Sequence, residues 1–321
     1  MTNYYQQLKA FNNIKKLHRY KELNNSFEEK LTFHFGANAG FFSEFNNMVF
    51  AILYCLQNGI KFRLYSKRGN LAYKKGWQDF FLAFCQETEF YLHSRYNRRA
   101  YQMEEANPFP PALLRIVSGN QYLTQDVWDK FRCREFEKEI FNIPELGINN
   151  EVLPRAAQTI INMIWRYNEP AATYIEEFKA SASVPKTYIS MHIRAGDKTK
   201  EKKIYDFEVY MEEAERLSIS QNIFVLTDDY KLMLSLKKNY PDWNFITLCH
   251  PSEEGYVHNE FLKLSKKEKY LRLLKLLTSI EICASSEHFI GTFSSGPGNY
   301  LGMRMGEEKC TGIDYKHWLL W

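Results

Sequence analysis

Along this chain the apolar positions change rhythm near residue 180. At the start, Leu8, Phe11, Ile14, Leu17 and Leu23 recur at helical spacing in a polar background, which predicts one or two leading helices over residues 1–30. Leu31–Phe35 reads as a strand, followed by a small-residue turn from Gly36 to Gly40 and an apolar helix to about Gln57. Asn58 and Gly59 end that helix, and Ile60–Tyr65 is the next strand. Asn70–Phe81 reads as a loop before a helix. Residues 93–180 are helix-rich by pattern, with helices expected over Gln125–Lys138 and Pro154–Phe178. The small residues and proline of Ser181–Pro185 read as a linker, giving two domains, 1–180 and 181–321.

Beyond the linker the pattern becomes regular. Strands are predicted at Thr187–Ile193, Asn222–Thr227, Asn244–Leu248 and His288–Gly291. They alternate with helices at Asp206–Leu217, Tyr230–Asn239, about Ser265–Ala284 and about Pro297–Met305. Short apolar strands alternating with helices predict an α/β fold whose C-terminal domain is a Rossmann-type, doubly wound parallel sheet.

Parallel strands point their carboxyl ends the same way, and that edge is where open α/β sheets bind ligands. Three polar clusters then share it. The first strand runs into Arg194, Gly196, Asp197 and Lys198, the second into Thr227, Asp228 and Asp229, and the fourth into Thr292, Phe293, Ser294 and Ser295 ahead of a helix. The planar guanidinium of Arg194 suits a diphosphate. Ser294 and Ser295, with the amides opening the last helix, make a candidate phosphate cradle. Asp228 and Asp229 suit hydrogen bonds from a base or ribose, or the capping of the helix that starts at Tyr230. His192 shares a strand face with Arg194, as a ligand contact or as a satisfied core histidine. Asp197 and Lys198 also fit a surface turn with its own ion pair. In the first half, the turn at Gly36–Gly40 and the aromatic, basic loop with Tyr73, Lys74, Lys75 and Trp77 are weaker candidates for meeting an anion or a sugar, or are simply a tight turn and a core-anchored loop.

Composition narrows the classes. With 45% hydrophobic and 25% charged residues, the chain is globular. A net charge of +4 is too mild to argue for nucleic acid, but it suits an anionic small molecule or peripheral contact with an anionic membrane surface. The 16% aromatic content reads as core packing before a carbohydrate-facing surface. The six cysteines lie too far apart for metal-knuckle or redox spacing and read as reduced core residues. No basic-then-apolar leader opens the sequence, and the longest apolar run, around Met48–Leu56, is too short to span a bilayer. The expectation is a soluble, cytoplasmic protein.

HIRAGDK, FVLTDD and FIGTFSSGPGNYLGMRM resemble, in order and spacing, the motifs of the α1,6-fucosyltransferase and nodulation-fucosyltransferase family, with protein O-fucosyltransferases more distantly similar. AGFFSEFNNMVFAILYCLQNGIKFRLYS and the NLAYKKGW loop extend the resemblance into the first half, so that it covers roughly residues 36–92 and 186–306. The resemblance implies a two-domain GT-B-like fold with the acceptor on the N-terminal side and GDP-fucose as donor. It also implies inverting, metal-independent transfer, with no cofactor, to a hydroxyl of an oligosaccharide acceptor, α1,6 to N-acetylglucosamine by family habit. By position, Arg194 grips the donor diphosphate and His192 contacts the nucleotide. Gly40 and Phe41 belong to the donor-facing turn, Tyr73 to a phosphate-contacting loop, and Ser295, with Ser294 beside it, to the phosphate-contacting serine motif. Asp197 and Lys198 match the acidic–basic pair after the arginine, and Asp228 and Asp229 match the acidic pair after the second strand. Glu201 is the nearest carboxylate to the family's proposed base. The family's aspartate before the last strand falls at Ser279, with Glu281 the nearest acid. The family's second arginine is Ala195 here, and a second turn glycine is Phe42. The same fold acting on another GDP-sugar, and a catalytically silent nucleotide- or glycan-binding protein, are the alternative readings.

Overall fold

The structure is a computed structural model that describes residues 2–194 and 205–317, with side chains described from Phe11 onward. These residues form two compact units that divide between Asn168 and Glu169.

The first unit runs α1 (Thr2–Ser26), β1 (Lys30–His34), α2 (Phe41–Gln57), β2 (Lys61–Tyr65), α3 (His93–Tyr96), α4 (Phe109–Ser118), β3 (Tyr122–Leu123), α5 (Thr124–Phe131), α6 (Arg134–Glu137), β4 (Ile140–Ile143), β5 (Ile148–Val152) and α7 (Leu153–Ile164). β1 is the centre of a parallel sheet ordered β2-β1-β3, and β4 and β5 form an antiparallel hairpin. Helix α2 is apolar on nearly every side because it is buried on nearly every side, from Phe41 to Leu56. Gly59, at φ +65°, turns the chain out of that helix. Phe41, Phe45, Trp77, Phe81 and Trp165 interlock in the core: Trp77 stacks on Phe81 at 4.3 Å, and Phe81 meets Trp165 at 4.8 Å. Much of the aromatic content of this unit is therefore core, as composition suggested.

Three details depart from the sequence pattern. The expected helix Gln125–Lys138 is two helices, because the buried stripe Thr124, Val127, Trp128 and Phe131 would next reach charged residues; the chain becomes extended at Cys133 and resumes with Phe136 inward. Pro154–Phe178 is likewise broken after Ile164, where Trp165 turns into the aromatic core and Pro170 sits in the first turn of the following helix. The hairpin was legible as the alternation Ile140 out, Phe141 in, Asn142 out, Ile143 in, which a helical reading of this stretch hides.

The second unit runs α8 (Glu169–Ser181), β6 (Ile189–His192), α9 (Phe207–Leu217), β7 (Asn222–Leu226), α10 (Tyr230–Asn239), β8 (Asn244–Ile246), α11 (His258–Lys263), α12 (Lys266–Ala284), β9 (Phe289–Gly291), α13 (Gly296–Met305) and β10 (Cys310–Gly312). The five strands form one parallel sheet ordered β10-β9-β6-β7-β8. Ile189, Met191, Ile223, Val225 and Ile290 face Tyr210, Met211, Met233 and Leu236 in one continuous core. Ser265 opens α12 with a capping box through Glu268, as the sequence SKKE foretells. The short, half-buried edge strand β10 carries no apolar run and was not predicted. The division between units lies one helix before the Ser181–Pro185 linker, because α8 packs on α12 and so belongs to the second unit.

All six cysteines are free, with Cys55, Cys249 and Cys283 buried. Among the described residues, no helix is long and apolar enough to cross a membrane.

Candidate functional site

The register of the second sheet brings the polar clusters to one edge. His192, the last residue of β6, pairs with Leu226, the last of β7, and with Gly291, the last of β9. Arg194, Thr227–Asp229 and Thr292–Ser295 all follow directly from that aligned row. The close packing there needs a glycine at 291, where a Cβ would meet the Phe289 ring at 2.4 Å.

His192 is buried, and its imidazole is pushed down to about 3, first by burial and second by the nearby charge of Arg194. Its Nδ1 lies 3.2 Å from Ser295 Oγ. That hydroxyl donates its one proton to the Thr292 carbonyl at 2.7 Å and accepts the Gly298 amide at 3.1 Å. Its remaining lone pair faces His192, so the network assigns the proton of the neutral ring to Nδ1 and leaves Nε2 as an acceptor. Ser295 is also the N-cap of α13. Gly298 is required beneath it, since a Cβ there would sit 2.1 Å from the Thr292 carbonyl oxygen.

The acidic residues mostly hold backbone. Asp229 caps α10 by accepting the Lys231 amide at 2.9 Å, one of the two roles the sequence left open. Asp228 accepts the Tyr256 amide at 3.0 Å, and its carbonyl accepts that of Gly255 at 2.7 Å, which seats the 253–256 segment at this edge. Glu281 forms a bidentate pair with Arg304, 2.7 Å at each oxygen, joining α12 to α13; Ser279 donates to the Lys275 carbonyl within α12. The amide of Ser294 donates at 3.0 Å, and that of Phe293 at 2.7 Å, to the carboxylate of Asp314. Sequence reasoning missed Asp314 because it follows the unrecognised β10. One amide of the expected phosphate cradle, that of Ser294, is therefore held by the protein's own aspartate.

In the first unit, Gly40 is the N-cap of α2 and has open space where a Cβ would project. Phe41 is 3% exposed and its ring belongs to the aromatic core, so its side chain is taken up by packing. Phe42 packs there too, against Trp165. The preceding turn is held from inside: Glu44 accepts the amides of Asn38 and Ala39 and pairs with Arg99 at 2.6 Å, both side chains buried. Tyr73 is half-buried, with the Lys74 ammonium 5.0 Å from its ring centre, and Trp77 anchors the loop in the core. Asp197, Lys198 and Glu201 lie outside the described residues, as does Ala195. Among the described residues, no group of three histidine, cysteine, aspartate or glutamate side chains is placed to hold a metal ion.

Residues 156–297 match the family model described as alpha-(1,6)-fucosyltransferase N- and catalytic domains. No curated protein matches the chain. Among solved structures, NodZ α-1,6-fucosyltransferase soaked with GDP-fucose is similar at 15% identity and a TM-score of 0.51, over 86% of this chain and 92% of that one. Fucosyltransferase NodZ from Bradyrhizobium is similar at 12% identity and a TM-score of 0.50, over 85% of this chain and 92% of that one. At these identities the likeness shows the fold: two α/β units of the GT-B kind, as the motifs implied.

Proposed function

We propose that this chain, whose second half resembles the α1,6-fucosyltransferase catalytic domain, is an inverting glycosyltransferase that moves fucose from GDP-fucose to a hydroxyl of a glycan acceptor. The observation that carries the reading is the aligned row His192, Leu226 and Gly291, with Arg194 and the Ser295 cap immediately beyond it. The residue types there suit a nucleoside diphosphate: a guanidinium for the phosphates and a neutral imidazole whose free Nε2 accepts an N–H or O–H from the nucleoside.

In this mechanism the acceptor oxygen attacks the anomeric carbon as the bond from that carbon to the phosphate oxygen breaks. Positive charge develops on the sugar ring and negative charge on the departing GDP. Arg194 stabilises the departing diphosphate without a metal, assisted by Tyr73 and by the Ser294–Ser295 segment. The acceptor proton leaves late, to Glu201 or Asp197, and the role proposed for Lys198 is to hold that carboxylate or to stabilise charge. Gly40 lets the chain approach the donor closely, and Asp228 and Asp229 shape the nucleoside side of the edge. Glu281 acts at a distance, through Arg304 and the helix that Ser295 caps. An oligosaccharide with N-acetylglucosamine, joined at its 6-hydroxyl, is the proposed acceptor.

The test is calorimetric binding and thermal stabilisation with GDP, GDP-fucose, GDP-mannose and UDP-sugars, each with and without a chelator. Selective stabilisation by GDP and GDP-fucose, indifferent to chelator, is the expected result. Preference for another nucleotide sugar overturns the donor, and no binding to any of them overturns the transferase reading.

A further inference from the structure

The loop that carries Tyr73 is wrapped around a carboxylate. The amides of four consecutive residues converge on Asp79: Tyr73 at 2.8 Å and Gly76 at 2.8 Å on Oδ2, Lys75 at 2.9 Å on Oδ1, and Lys74 on both oxygens at 3.1 and 3.0 Å. Successive N–H groups that point inward form a nest for an anion, and their parallel dipoles repel one another unless a negative charge sits among them. Here the chain supplies that charge itself.

Both ends of the loop are clamped. On one side the Asn70 amide donates to the Gly36 carbonyl at 2.8 Å, and its side chain donates to that of Ala39 at 3.1 Å, tying the loop to the turn that leads into Gly40. On the other, Gly76 takes φ +71°, and a Cβ there would lie 2.2 Å from Ser66 Oγ; the next amide, of Trp77, donates to that same hydroxyl at 2.9 Å. Between the clamps Asp79 gathers residues 73–75. Facing outward are the half-buried Tyr73 and the exposed Lys74 and Lys75, with Lys74 over the Tyr73 ring. A phenol beside the Lys74 ammonium, with the exposed Lys75 next in the chain on the same fixed curl, is chemistry suited to a nucleoside diphosphate.

We propose that Asp79 is a positioning residue for donor binding: by gathering the amides of residues 73–76 it fixes Tyr73 and Lys74 in the arrangement that meets the diphosphate. The proposal rests on the donor reading above and assigns Asp79 no contact with the donor.

The experiment compares the full chain with Asp79→Ala and Asp79→Asn. Hydrogen exchange of the 73–76 amides reads the nest without any ligand; calorimetry with GDP reads binding; donor KM and kcat read turnover. In Asp79→Ala the four amides exchange faster, GDP affinity falls about ten- to a hundredfold, and donor KM rises while kcat changes little, the scale expected when a binding group is displaced by about 1 Å. Asp79→Asn, which keeps an acceptor oxygen, is intermediate, and formate added to Asp79→Ala restores part of the affinity by refilling the nest. Should Asp79→Ala fail to fold, Asp79→Asn carries the comparison. Faster exchange with unchanged GDP affinity and donor KM overturns the proposal and leaves Asp79 a structural residue. If the wild-type chain binds no GDP, the donor reading falls and takes this role with it. If the wild type binds and Asp79→Ala binds equally well, Asp79 alone is overturned.

Discussion

His192 at the end of β6 and Ser295 at the head of α13 are joined through Nδ1 and Oγ at 3.2 Å, so that one hydroxyl sets the imidazole tautomer and caps the helix together. Replacing Ser295 by Ala removes both functions. Loss of the cap costs about 1 kcal/mol, which for a protein of this size lowers Tm by only a few degrees. Loss of the acceptor frees His192 to reverse its tautomer, and GDP affinity falls about tenfold, near one strong hydrogen bond. Scanning calorimetry and GDP titration of Ser295→Ala and Ser295→Thr check this: Thr keeps the hydroxyl and retains most of both. Equal GDP affinity in the Ala variant removes Ser295 from the site.

Arg194 is the cation next in the chain after that strand, and its charge already bears on the neighbouring imidazole. Arg194→Ala loses nearly all transfer with the fold intact, and Arg194→Lys recovers only a small part, because an ammonium cannot make the planar, two-pronged contact of a guanidinium. Unchanged turnover in Arg194→Ala takes it out of the mechanism. Glu201→Gln retains GDP binding and turns over more slowly; near-normal turnover transfers the role of base to Asp197.

The parallel core strands and the shared edge were legible because buried strands are written as short, mostly apolar runs and polar residues follow each of them: ISMHI before Arg194, IFVL before Thr227 and FIG before Thr292. What stayed hidden is held by residues far apart in sequence. Glu44 with Arg99, Asp314 with the amides of Phe293 and Ser294, and Asp228 with Tyr256 are each set by tertiary approach. β10, with its three residues Cys310, Thr311 and Gly312, has too few side chains to show a period. The bond between His192 and Ser295 spans 103 positions, so their shared placement could be reasoned from topology but their contact could not.

Glu281 and Arg304 make a two-pronged pair whose side chains are 16% and 21% exposed. Removing one partner leaves a largely buried charge, and Glu281→Gln lowers stability by about 2 kcal/mol. In a double-mutant cycle with Arg304→Met, urea unfolding gives a coupling of about 1–3 kcal/mol, the range for residues in direct contact. Because α13 carries the Ser295 cap, GDP affinity weakens only modestly. A large loss of GDP affinity with unchanged stability would place Glu281 on the ligand instead.

Stability falls as the solution is acidified below pH 6.5, and buried histidines are the cause. His34 and His192 are pushed down to about 3 and His93 to about 4, in each case chiefly by burial, with neighbouring positive charge adding to it. All three are neutral in the folded chain until the pH approaches those values, whereas the unfolded chain takes up their protons near 6.5. The unfolded state thus binds more protons through this window, so stability is fully present above about pH 6.5 and is lost as pH falls towards 3–4. Each histidine contributes a slope of up to about 1.4 kcal/mol per pH unit. Between pH 6.5 and 5, where few carboxylates titrate, urea midpoints at half-unit steps show the decline, and calorimetric unfolding in buffers of different ionisation enthalpy shows proton uptake. Stability that rises on acidification, or proton release on unfolding in this window, would mean that these rings are charged in the folded protein.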